Sequence, residues 1–134
     1  VNLDKTEMYN LSDDVFVSHC YWKNDKEILS FLRKKETGDH YYLMRDKTQE
    51  YKLYWPELNT DGHCSYSPDR RYIITDTYPN RKRIASVYLC TEEENTSRKI
   101  ARVFSPFRYD NDCRCDLHPR WSRSGDKICI DSVQ

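Results

Sequence analysis

Short apolar runs punctuated by turn residues set the pattern of this chain. Tyr72, Ile73, Ile74 and Thr75 are aromatic or β-branched and suit a pleated, buried surface. Ser67-Pro68-Asp69 precedes them and has turn chemistry, because proline presets its own φ and aspartate bonds back to its own backbone. The same pattern predicts strands over 17–22, 27–33, 40–45 and 51–54, and again over 63–67, 72–77, 85–91 and 99–104. Asn24-Asp25-Lys26, Thr37-Gly38-Asp39 and Asp46-Lys47-Thr48 supply turns in the first set. Residues 25–35 could pass for an amphipathic helix, but alignment with the second set makes them a hairpin. A weaker pair, 1–3 and 7–11, reads as an outer hairpin ahead of the first set, and two strands are expected after Leu117.

The sets are copies of one unit. Ser18-His19-Cys20-Tyr21-Trp22, Gly62-His63-Cys64-Ser65-Tyr66 and Leu117-His118-Pro119-Arg120-Trp121 each place a histidine three residues before an aromatic. Ile28, Ile73 and Ile128 then follow, each opening the next apolar run. Several short strands per unit, with a period of roughly 40–50 residues, is the signature of a β-propeller blade. The expected fold is all-β: four-stranded antiparallel blades forming an open arc, or part of a ring of about six to eight blades. The units divide as an outer hairpin (1–16), a blade (17–60), a second blade (61–116) and the first half of a third (117–134). Such cut blades imply the remainder of a propeller, or self-association through exposed strand edges.

Charge excludes little and cysteine adds something. Lysine and arginine number 22 and aspartate and glutamate 22, so no overall field favours nucleic acid or a membrane surface. The chain carries no long apolar run that could span a bilayer. Six cysteines lie mostly inside predicted strands, where reduced thiols act as small apolar residues, which points to a reducing, cytoplasmic setting. Glu92-Glu93-Glu94-Asn95-Thr96-Ser97 reads as a solvated hairpin tip, and the basic stretch 78–83, with Arg81 and Arg83, as a loop able to reach an anionic ligand; Arg108 lies in an extended linker over 105–117.

The three histidines in register are the main candidate chemistry. Equivalent positions on successive blades point to one mouth of a central channel, where imidazoles can bind a metal or act as bases. A repeat also keeps residues for packing, and Trp22, Tyr66 and Trp121 read that way, as inter-blade core rather than sugar platforms. Cys113 and Cys115 with His118 form a rival zinc set, although alternation along a strand also explains the cysteine pair.

The His-Cys, His-Cys and His-Pro contexts, with the Ser-Pro-Asp turn, resemble successive blades of the oligogalacturonate lyases, propellers related to the TolB type. The resemblance spans roughly Ser18 to Asp131. It implies β-elimination on an acidic oligosaccharide, with His19 as the base and His63 and His118 among the ligands of a divalent metal, usually manganese. The family's third blade carries His-Pro-His-Pro; here Asp116-Leu117-His118-Pro119 stands there, which makes Asp116 the remaining ligand. Cys113 lies near the place of a glutamine ligand of the family. Arg81, Arg83 and Arg108 are then candidates for binding substrate. The alternative is a non-catalytic propeller segment that presents its rim to a protein or a glycan.

Overall fold

The computed structural model describes residues 3–133. Ten strands pair in antiparallel fashion, and the described residues include one 3₁₀ turn, Asn111–Cys113, and no α-helix. No helix among them is long and apolar enough to cross a membrane. Strands β1 (Val17–Trp22), β2 (Glu27–Lys34), β3 (Gly38–Arg45) and β4 (Tyr51–Tyr54) form a four-stranded sheet in chain order. A second sheet repeats that order with β5 (Ser65–Tyr66), β6 (Tyr72–Asp76), β7 (Ile84–Thr91) and β8 (Thr96–Phe104). A two-stranded sheet, β9 (Arg120–Trp121) with β10 (Ile128–Cys129), follows. No closed ring is formed among the described residues.

The unit seen in sequence recurs in space. Trp22 pairs with Ile28, Tyr66 with Ile73 and Trp121 with Ile128, each across the first two strands of its sheet. The turns of the second and third sheets also match. Ser67 and Ser122 donate their main-chain N–H groups to the carbonyls of Tyr72 and Lys127, both at 2.8 Å. Arg70 (φ +62°) and Gly125 (φ +75°) occupy the same left-handed position in them.

Alternation along the strands decides what each face meets. Leu29, Phe31, Tyr41 and Leu43 of the first sheet pack on Tyr66, Ile73 and Cys90 of the second and on Cys64 just before β5. Trp55 closes this core, fully buried, its Nε1 donating to the Thr91 carbonyl at 2.9 Å. The Tyr41 hydroxyl and Thr75 Oγ1 meet across the same interface at 2.6 Å. On the far side of the second sheet, Ala85 and Val87 pack with Leu117 and Ile130. Trp121 Nε1 donates to the Ser65 carbonyl at 3.2 Å and sets β9 beside β5.

Several expectations change. The segment 7–11 is not a strand: it crosses the outer face of the first sheet as irregular chain, and Leu11 packs on Leu32, Tyr42 and Met44. Val1 and Asn2, part of the expected hairpin, lie outside the described residues. Side-chain ties replace a ladder there, with Tyr9 Oη donating to Asp46 at 2.6 Å and Lys47 to Glu7 at 2.7 Å. Glu92 is not a solvated tip residue. Its carboxylate accepts from the Tyr54 hydroxyl at 3.1 Å, from Tyr66, and from Lys23 of the first sheet. Of the cysteines only Cys64 and Cys90 are buried; Cys20, Cys113 and Cys129 are exposed. Burial pushes the Cys64 thiol up to about 12.

Candidate metal centre

His19 is the third residue of β1, and His63 and His118 lie two residues before β5 and β9, so the sheet packing that aligns these strands also aligns the three histidines. Their rings form a row. The His19 and His63 centroids are 4.0 Å apart, as are those of His63 and His118, with interplanar angles of 56° and 47°.

His63 stands in the middle and is held by Asp76 at the end of β6. Asp76 Oδ1 accepts the His63 main-chain N–H at 2.6 Å and lies 3.0 Å from its Nδ1. Asp76 Oδ2 accepts the His118 N–H at 3.0 Å, so one buried carboxylate ties two sheets together at the row. Gly62 makes room for this. A Cβ there would lie 1.9 Å from the Asp76 carbonyl oxygen. His118 adopts φ +38°, a left-handed conformation costly for a residue with a Cβ.

Electrostatics follow the geometry. Burial alone would lower the His63 pKa, but its hydrogen bond to Asp76 and the charges of Asp76, Asp116 and Asp61 hold it above the ordinary imidazole value. Burial would likewise raise Asp76, yet the side-chain and main-chain bonds from His63, with the N–H of His118, hold its carboxyl below the usual range. With Nδ1–H directed at Asp76, Nε2 keeps its lone pair for a ligand, the carboxylate–histidine arrangement common behind bound metals. His19 repeats it: Asp61 Oδ1 lies 3.1 Å from its Nδ1, and Asp61 Oδ2 accepts from Ser18 Oγ at 2.7 Å. His118 Nδ1 lies 3.2 Å from the Asp116 carbonyl and 3.7 Å from Asp131 Oδ2.

His63, Asp116 and His118 each offer a ligand atom, all within 4.8 Å of one another. Two imidazoles and a carboxylate suit a divalent transition ion. Asp116 is also gripped by Arg114 through two bonds, at 2.7 and 3.0 Å, and the Arg114 guanidinium lies 4.6 Å from the Tyr78 ring centroid. Tyr78 in turn lies 5.9 Å from the His63 ring. Among the described residues neither Cys113 nor Cys115 joins this group; Cys113 sits exposed in the 3₁₀ turn.

The three arginines fare differently. Arg83 is buried and committed to structure: its guanidinium donates to the Ser105 carbonyl at 2.8 Å, the Tyr109 carbonyl at 3.2 Å and Asp110 at 3.2 Å. A ligand would have to compete with that clasp, so Arg83 is no longer a substrate-binding candidate. Arg108 is exposed and lies 4.7 Å from the Tyr109 ring centroid, and Arg81 is exposed in the turn before β7. A groove of about 390 Å³ opens beside the row instead, lined by Asp61, Tyr78, Tyr88 and Lys99 among others.

Comparison with protein-family models, with curated proteins and with solved structures finds no match. Four residues of the centre had no role in the sequence reading: Asp61, Asp76, Tyr78 and Arg114. Two of them carried a signal: Asp61 precedes His63 by two residues, as Asp116 precedes His118. Asp76 follows Ile73 at the same interval as Asp131 follows Ile128, so this aspartate recurs in the second and third units, where the first has Phe31.

Proposed function

We propose that this chain is an arc of β-propeller blades that holds a divalent metal at the histidine row and acts through it on an acidic oligosaccharide by β-elimination. The observation that carries this reading is the convergence of His63, Asp116 and His118 within 4.8 Å, with Asp76 behind His63. Manganese is the ion the lyase resemblance implies. Bound there, it supplies positive charge for a uronate carboxylate and so acidifies the neighbouring C5 proton. His19 is the base. Its Nδ1–Asp61 pairing orients the ring and leaves the Nε2 lone pair to take the C5 proton. The electrons of that C–H bond form the C4–C5 double bond as the C4–O4 bond breaks, and the departing oxygen takes a proton from solvent. The groove beside the row accommodates the chain, with Tyr78 and Tyr88 as stacking surfaces and Lys99 as a partner for a further carboxylate.

The experiment is a manganese-supplemented assay on oligogalacturonate that follows the ultraviolet absorbance of the unsaturated product. The expected result is metal-dependent product formation, lost in His19→Ala. Manganese binding with no product from any oligouronide would remove the lyase chemistry. The non-catalytic scaffold reading would then hold, and one observation favours it now: Arg114 already neutralises the Asp116 carboxylate.

A further inference from the structure

A second groove, of about 310 Å³, lies where the aromatic ends of β1, β5 and β9 meet, and shares no lining residue with the histidine row. Its walls carry Tyr21, Tyr66 and Trp121 together with Arg70, Arg120 and Arg123; serines and a proline complete it, and no carboxylate lines it. In a chain with equal numbers of acidic and basic residues this is a local excess of positive charge. The three guanidiniums are not equivalent. Arg120 is neutralised by Asp131 through bonds at 2.9 and 2.6 Å. Arg70 donates to the Trp22 carbonyl at 3.1 Å and lies 5.9 and 5.8 Å from the Tyr21 and Tyr66 ring centroids, which fixes its head without cancelling its charge. Arg123 is exposed and, among the described residues, pairs with no acid.

We propose that this groove binds a phosphate monoester carried on a flat heteroaromatic ring, a ligand of mononucleotide size. A phosphate monoester carries a charge of about −1.5 to −2 at neutral pH, which matches the two guanidiniums that no acid neutralises, and the guanidinium fork fits phosphate oxygens. The ring finds a stacking partner in Trp121, whose plane is held by its bond to the Ser65 carbonyl. The groove falls at the small end of ordinary ligand pockets, about 300–1,000 Å³, which suits one nucleotide and not a longer chain.

The test is calorimetric titration of the whole chain at low salt with adenosine monophosphate, ribose 5-phosphate and adenosine. Adenosine monophosphate binds, and each of the other two binds at least about tenfold more weakly, one lacking the ring and the other the charge. Arg123→Gln weakens binding by about tenfold, and its exposed, unpaired side chain makes it a change that leaves folding intact; Arg70→Gln does the same. His63→Ala leaves nucleotide binding unaltered, which separates this groove from the metal centre. The proposal fails if adenosine monophosphate does not bind at millimolar concentration. It fails if neither arginine change weakens binding, if ribose 5-phosphate binds as well as the nucleotide, or if digalacturonate binds the groove more tightly.

Discussion

Whether His63 can meet Asp76 is decided by Gly62. A methyl group there would overlap the Asp76 carbonyl, so Gly62→Ala must displace β6 or the histidine. A loss of roughly 1–3 kcal/mol in chemical denaturation is expected, typical of overpacking; unchanged stability would show that the close approach is not needed. The His63–Asp76 pair also sets a pH dependence for metal-free protein. The raised His63 pKa stabilises fully below its unfolded value, about 6.5, and this is lost as pH rises through the folded value. The lowered Asp76 pKa stabilises above about 3.9 and is lost as pH falls through its folded value. Melting temperature is therefore expected to rise from pH 8 towards pH 5, and Asp76→Asn to flatten that rise; a wild-type profile in the variant would count against the pair. The histidines were legible because their spacing from an aromatic repeats. Their carboxylate partners come from other strands or the next unit, Asp61 for His19 and Asp76 for His63, and local spacing cannot reveal a partner brought by packing.

Equivalent elements sit in unequal surroundings. Trp22 and Tyr66 share a register against isoleucine, yet Trp22 is 49% exposed and Tyr66 only 3%. The second sheet is covered by the first, whereas among the described residues no sheet lies over the edge that carries Trp22. Tyr66→Ala is expected to cost about 3–5 kcal/mol as a buried large-to-small change, and Trp22→Ala much less, in urea unfolding of both variants; equal losses would show that register alone sets the energetics. Tyr66 also hands its hydroxyl to Glu92, and burial together with that carboxylate raises the pKa of its hydroxyl and of the Tyr54 hydroxyl. Strands whose apolar pattern is strong, such as β2, β6 and β7, were legible to within a residue or so. Glu92 was not, because a carboxylate in an acidic run reads as solvated until Lys23 and two tyrosines arrive from other strands. Residues 7–11 differ for a related reason: apolar side chains at 8, 9 and 11 suit a strand, but Met8 is exposed and Leu11 docks on the first sheet.

At the scale of the molecule, three sheets lie in sequence, and the irregular segment before β1 covers the outer face of the first. Leu11→Asp would place a charge against Leu32, Tyr42 and Met44 and leave that apolar face open. Larger species in sedimentation at micromolar concentration are expected; an unchanged distribution would show that the segment does not protect the face. The same layering gathers one histidine from each unit into a row, and the central claim is that this row binds a metal. Calorimetric titration with manganese tests it most directly. One ion per chain is predicted, with binding lost in His63→Ala and His118→Ala and weakened about 10–100-fold in Asp76→Asn, whose carboxylate orients a ligand without touching the ion. Absence of binding, or equal binding in all four proteins, would contradict the account.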